Sequence, residues 1–309
     1  MPSGAGDRVL ISGATGLIGG ALCDRLVAEG ARVSALSRRG GGAATRDGVR
    51  FVRGEVTRPG DWQAEVASAD AVVHLAGEPV AAGRWTASVK ARIRDSRIEG
   101  TRRVVEAIRQ AKTRPRVLVC ASAAGYYGPR GEEELDESAA PGRDFLARLC
   151  VDWESEARRA AELGVRVVQL RFGLVLSADG GALPRMLTPF RLGVGGPLGP
   201  TERFVPWIHL DDVVGIARLA LDDGTRALHG AVNLVAPEAI RMGEFASALG
   251  RALRRPALVP VPEFALRLLL GEATDAVVPG QRVIPRAALA AGYRFAFPTL
   301  GEALDDLLR

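Results

Sequence analysis

Short apolar runs recur along the chain: Val9-Leu10-Ile11, Arg32–Leu36, Val49–Val56, Ala71–Gly77, Val117–Ser122 and Arg166–Gly173. Each is three to eight residues long and the set is rich in valine, the signature of strands buried on both faces. Between them the apolar positions fall three and four apart, at Leu17, Ile18, Ala21, Leu22 and Leu26, then at Val89, Ile93, Ile98, Val104, Val105 and Ile108 within Trp85–Ala111. That is the helical period. Strand and helix in alternation predict an α/β fold, a doubly wound parallel sheet with helical crossovers. Asp144–Glu154 continues the pattern as a helix and Ala231–Leu234 as a last strand. Phe204–Val213 reads as a returning strand and a helix capped by Asp211. A Gly- and Pro-rich stretch from Gly180 to Pro200 marks a substrate-side segment, and from Met242 the chain is helical with proline punctuation. The expected division is a nucleotide-binding domain over 1–175, to which the strand and helix near 205–235 return, and a smaller, mainly helical lobe over 176–309.

The first strand breaks into Gly13-Ala14-Thr15-Gly16-Leu17-Ile18-Gly19 before the helix begins. Gly13 permits the sharp turn, Gly16 clears room for a pyrophosphate, and Gly19 lets the helix press on the strand. The free N–H groups of Thr15 through Ile18 then face an anion at a helix N-terminus. A dinucleotide cofactor follows, and the end of the second strand bears on which one. An NAD enzyme usually carries an acid there for the ribose hydroxyls; this chain has Ser37-Arg38-Arg39. The guanidinium groups suit a 2′-phosphate, so NADP(H) is favoured over NAD(H). The alternative is that Arg38 and Arg39 begin a solvated loop through Gly40, Gly41 and Gly42. The fourth strand opens through Leu75, Ala76 and Gly77, whose small size leaves space for the cofactor backbone, while His74 lies inside the apolar run as a core histidine.

Composition narrows the class without changing the fold. The chain has 309 residues, 47% hydrophobic and 25% charged, enough for a substantial core. No apolar run reaches the roughly 18 residues of a membrane span, and Met1–Asp7 has no basic-then-apolar leader pattern, so a cytoplasmic protein without a membrane partner is expected. Cys23, Cys120 and Cys150 lack metal-type spacing and are odd in number; reduced thiols are expected, with neither a metal site nor a disulfide framework. The formal charge is +5, but the basic residues are spread along the chain and, in the densest patch, interrupted by Asp95, Glu99 and Glu106. No nucleic-acid partner is expected; a small-molecule substrate is, and the long Trp85–Ala111 helix is the candidate surface for a homodimer.

The Gly-x-x-Gly-x-x-Gly spacing resembles the short-chain dehydrogenase/reductase superfamily. Gly77-Glu78-Pro79, Ser96-Arg97, Gly125-Tyr126-Tyr127-Gly128, Val261-Pro262-Glu263-Phe264, Gly280–Pro285 and Ala291–Phe295 narrow the resemblance. They are similar to the atypical subgroup of epimerase family proteins, of the NAD-dependent epimerase/dehydratase superfamily, with its C-terminal domain of unknown function at about 255–305. The resemblance implies that Glu55 reaches the adenine amino group and that Ser122 hydrogen-bonds a substrate carbonyl or hydroxyl, although a serine there also suits a turn cap. It implies that Arg171 lies beside the substrate pocket, a surface ion pair being the alternative, and it puts Arg97 where many relatives have asparagine. The superfamily's proton donor is a tyrosine four residues before a lysine; Lys90 and Lys112 are the chain's two lysines, and neither follows a tyrosine at that distance. The subgroup lacks that pair as well. An acid would come from Tyr126 or Tyr127 in the loop, with Glu78 or Arg148 nearby. The expected function is an NADP(H)-dependent oxidoreductase or epimerase-like reaction on a small polar carbonyl or alcohol. A non-catalytic NADP-binding sensor or scaffold is the rival.

Overall fold

The computed structural model describes residues 6–39, 47–80, 83–224, 228–278 and 280–309. Residues 1–5 and the glycines at 40–42 fall outside the described residues. Seven parallel strands form the central sheet: β1 (Arg8–Ser12), β2 (Arg32–Ser37), β3 (Val49–Arg53), β4 (Ala71–His74), β5 (Val117–Ala123), β6 (Arg166–Phe172) and β7 (Gly230–Leu234). Their spatial order is β7-β6-β5-β4-β1-β2-β3. The chain therefore reverses direction between β1 and β4, where an open α/β sheet forms its ligand crevice.

Side-chain parity feeds two cores. Val9 and Ile11 of β1, Ala71 and Val73 of β4, and Val117 and Val119 of β5 point to one face, under α1 (Leu17–Ala28) and α4 (Leu210–Leu219). Leu10, Val72, Leu118 and Cys120 point to the other, under α2 (Ala87–Gln110) and α3 (Phe145–Arg158). Alternation along a strand with both faces covered leaves no polar side, hence the near-continuous apolar runs. Caps set where the helices start: Thr86 Oγ1 accepts from the Val89 amide at 3.3 Å, and Asp144 Oδ1 accepts from the Ala147 amide at 2.9 Å. The expected cap at Asp211 is corrected. His209 Nδ1 accepts from the Asp211 amide at 3.1 Å, so the imidazole caps α4 and Asp211 sits in its first turn.

A third core joins α5 (Met242–Leu253) and α6 (Leu300–Leu307) to Leu183, Leu187, Phe190 and Trp207. Buried Asp212 ties this part to α4 by accepting from Tyr293 Oη at 3.0 Å and from the Ala296 and Phe297 amides at 2.8 and 3.0 Å. No helix among the described residues is long and apolar enough to cross a membrane. Cys23, Cys120 and Cys150 are all buried and unbridged.

His74 closes β4 inside the second core, its Nδ1 2.6 Å from Ser12 Oγ and its Nε2 without a hydrogen bond among the described residues. Burial, with Arg97 nearby, pushes the imidazole down to about 4. The unfolded chain thus takes up this proton first as pH falls. Stability is full above about pH 6.5 and is lost between there and about pH 4, by on the order of 3 kcal/mol from this residue. Urea midpoints of wild type and His74→Leu, measured at pH 7.5 and 4.5, check this. An equal acid loss in both proteins refutes it.

Candidate functional site

The turn after β1 is built from clashes that only glycine avoids. Gly13 has φ +79°, and a Cβ there would stand 2.8 Å from the Ala76 nitrogen and from the Leu75 carbonyl carbon. A Cβ on Gly19 would stand 2.3 Å from the Gly13 oxygen. The Gly16 amide donates to that oxygen at 3.0 Å, and Gly16 caps α1 with no side-chain bond of its own. Thr15 and Gly16 are exposed, while Leu17 and Ile18 are half-buried against the first core. The first turn of α1 is thus bare backbone at the carboxyl edge of the sheet, with no acidic residue in it, and this suits a pyrophosphate. Leu17 also meets the Gly-rich segment, because a Cβ on Gly181 would lie 3.3 Å from Leu17 Cδ2.

At the end of β2, Ser37 is buried and its Oγ accepts from the Arg39 amide at 3.3 Å. The Arg38 and Arg39 side chains are exposed and make no ion pair among the described residues. Glu55 is half-buried and lies 3.4 Å from Arg58 Nε. Leu75 and Ala76 form the wall under Gly13, and Gly77 is exposed beyond them. These positions follow the carboxyl ends of four neighbouring parallel strands, β3, β2, β1 and β4.

The polar groups at the ends of β5 and β6 are organised by a residue that the sequence reading passed over. Glu154 of α3 is buried, and it accepts from Ser122 Oγ at 2.7 Å, from Arg171 Nε at 2.8 Å and from Arg171 Nη2 at 2.9 Å. Parity explains the meeting, since Ser122 shares a face with Leu118 and Cys120, and Arg171 shares one with Val167, all turned toward α3. Arg171 Nη1 donates to Tyr127 Oη at 2.9 Å, and Tyr127 donates to Asn233 Oδ1 at 2.7 Å. Burial opposes the Arg171 charge, but the Glu154 carboxylate and the Tyr127 hydroxyl outweigh it and hold its pKa above the ordinary value. Burial pushes the Tyr127 phenol up to about 12, against the pull of Arg171.

The three hydroxyls expected to act on substrate therefore differ. Those of Ser122 and Tyr127 are engaged inside the protein. The Tyr126 hydroxyl has no hydrogen bond among the described residues, and its half-buried ring lies 3.5 Å from the Arg171 guanidinium. Of the expected substrate contacts, Arg171 is spent on Glu154 and Tyr127, and Arg148 is an exposed α3 residue bonded to the Arg143 carbonyl. Glu78 is half-buried at the crevice, its amide donating to Ser96 Oγ at 3.0 Å. Glu154 was legible in one respect: Ala147, Cys150, Glu154 and Ala157 recur at the buried spacing of the helix, so its carboxylate stands on an apolar face. No cluster of three His, Cys, Asp or Glu residues that could hold a metal occurs among the described residues.

Comparison with known proteins matches this architecture. The model of the NAD dependent epimerase/dehydratase family covers residues 9–235, and that of a domain of unknown function, DUF1731, covers 261–307. The Arabidopsis thaliana epimerase family protein SDR39U1 homolog, chloroplastic, is 39% identical over 97% of this chain and 86% of its own length. Human epimerase family protein SDR39U1 is 39% identical over 97% of this chain and 99% of its own. A crystal structure of the human protein, isoform 2, with NADPH superimposes at a TM-score of 0.84, with 36% identity over 97% of this chain and 99% of that one. With the glycine turn, the crevice and both matched segments in register, this chain belongs to the NAD dependent epimerase/dehydratase family.

Proposed function

We propose that this protein binds NADP(H) in preference to NAD(H) and uses it to oxidise or reduce a small polar alcohol or carbonyl, alone or as half of an epimerisation. The observation that carries the reading is the pair of exposed guanidinium groups, Arg38 and Arg39, with no carboxylate partner among the described residues. They stand where β2 ends, beside a cradle that excludes every side chain at Gly13. A 2′-phosphate fits two such cations, and no acid sits there to repel it. The NADPH in the human relative's structure supports the same choice. The cofactor, when bound, supplies or takes up the hydride equivalent. The chain's part is to orient substrate and move a proton, and Tyr126 Oη is the hydroxyl free to do so. Arg171 holds the Tyr126 ring from below, itself fixed by Glu154 and Tyr127.

Calorimetry with NADPH and NADH tests the cofactor. Wild type should prefer NADPH. The double variant Arg38→Ala, Arg39→Ala should weaken NADPH by about 10- to 100-fold, the worth of losing charge-assisted bonds to the phosphate, and leave NADH unchanged. Equal affinity of wild type for the two nucleotides defeats the preference. A sensor without turnover is favoured by the engagement of Ser122 and Tyr127 inside the fold. Mixing the NADPH complex with a panel of small carbonyl compounds separates the two readings. Loss of nicotinamide absorbance that disappears in Tyr126→Phe marks the enzyme, and tight binding with no loss marks the sensor.

A further inference from the structure

Arg97 lies on α2 at the edge of the crevice, half-buried and without a carboxylate partner among the described residues. Its Nη1 is taken, donating to the Glu78 carbonyl at 2.9 Å and to the Ile93 carbonyl at 3.1 Å. Its plane is backed by the Trp153 ring, whose centroid is 5.2 Å from Cζ. Those contacts fix the group in place. Nε and Nη2, the other edge of the guanidinium, make no hydrogen bond among the described residues.

Gly77 borders the same group. A Cβ on Gly77 would stand 3.3 Å from Arg97 Cζ, 3.4 Å from Nη1 and 3.5 Å from Nη2, so the bare backbone of this exposed residue leaves the guanidinium uncovered on the crevice side. Elsewhere in the molecule the buried guanidinium has its counter-charge, as Arg171 has Glu154. Arg97 makes no ion pair among the described residues, and burial drives its pKa down from the ordinary arginine value, with Cys150 and the Glu78 charge opposing at longer range. A guanidinium does not shed its proton in a protein, so the cost of its desolvation persists until an acceptor arrives. Two parallel N–H groups on one edge match a pair of neighbouring oxygens in a ligand better than any single acceptor.

We propose that Arg97 is a ligand-binding residue whose Nε and Nη2 take a pair of oxygen atoms from the molecule lying against Gly77. The proposal rests on the nucleotide-binding reading above and adds to it a fixed cation at the far end of the crevice from Arg38 and Arg39. Two sources carry that oxygen pair: the ribose diol of the cofactor's nicotinamide half, or a carboxylate on the substrate. Both require the same edge of the same side chain.

The test uses the full-length protein, Arg97→Gln and Arg97→Lys, with three probes. 2′,5′-ADP carries the 2′-phosphate but no nicotinamide half, so it reports whether the cradle is intact. NADPH adds the second ribose. Oxamate, set against its uncharged analogue oxamide, reports a carboxylate site on the NADP+ complex. We expect Arg97→Gln to bind 2′,5′-ADP within twofold of wild type. If the ribose diol is the partner, NADPH weakens about tenfold or more. If a substrate carboxylate is, NADPH is unchanged and a saturable binding of oxamate, not shared by oxamide, disappears. Arg97→Lys keeps the charge without the paired donors and should restore only part of the lost affinity. Retention by Arg97→Gln of wild-type behaviour toward both NADPH and oxamate overturns the proposal. So does an equal loss of 2′,5′-ADP, which shows a structural role alone. Failure of wild type to bind 2′,5′-ADP sinks the nucleotide reading instead.

Discussion

Gly13→Val is expected to weaken NADPH binding by more than about 100-fold and to lower stability by about 2–5 kcal/mol. The two effects share one cause. At φ +79° a β-branched residue is strained by about 1–3 kcal/mol before any contact is considered. Its Cβ would then overlap the Ala76 nitrogen and the Leu75 carbonyl carbon at 2.8 Å, and both are backbone atoms directly after β4. A flexible side chain could turn away; a strand end paired to β1 from Val9↔Ala71 to Ser12↔His74 cannot. The turn must therefore move, and with it the amides at the start of α1 that would face the pyrophosphate. Gly16→Ala should cost much less stability, since its Cβ would meet only the Gly13 oxygen, at 3.3 Å, and Gly16 is exposed, while that same Cβ intrudes on the room a pyrophosphate needs and so weakens NADPH. Calorimetric titration of NADPH and urea unfolding of both variants decide the matter. Binding by Gly13→Val within tenfold of wild type shows that the cradle is not where the nucleotide sits.

The sheet and the glycine turn were legible because their causes are local. Strand runs, helical spacing and the Gly13, Gly16, Gly19 pattern each lie within about a dozen residues, and the predicted strands recur in the structure with ends shifted by a few residues. The family was legible for the same reason, from short motifs along the chain, and is shown by the matched models. What was missed is held together across the sequence. Ser122 meets Glu154 over 32 positions, Arg171 meets Tyr127 over 44, and Tyr127 meets Asn233 over 106. No periodicity encodes such pairs; they follow from the order of β5, β6 and β7 and from which face each side chain takes. Asp211 failed in the opposite way. An aspartate near a helix start is a common cap, yet His209 stands two residues earlier with an acceptor nitrogen already in place, and the helix began there.

Glu154→Ala should cost about 3–5 kcal/mol, the largest loss of stability expected from removing one side chain near the crevice. The carboxylate is 1% exposed and Arg171 is 3% exposed, so water cannot replace either partner. Truncation leaves a buried guanidinium with its bonds from Nε and Nη2 unmade, and leaves Ser122 Oγ without its acceptor. Glu154→Gln keeps an acceptor oxygen and the shape, and should lose less. Removing the stranded charge as well, in Glu154→Ala with Arg171→Met, should recover part of the loss, because the uncompensated cation and not the missing contact dominates the penalty. Urea unfolding of wild type, Glu154→Ala, Arg171→Met and the double variant gives the coupling directly. Function should follow by a second route: Arg171 is also the group 3.5 Å from the Tyr126 ring, so an Arg171 released from Glu154 no longer fixes that hydroxyl at the crevice. On the proposed redox reading, Glu154→Gln should then bind NADPH as wild type does and turn over more slowly. A cost below about 1 kcal/mol for Glu154→Ala removes the buried pair from the account, and with it the reason Tyr126 is held where a substrate could meet it.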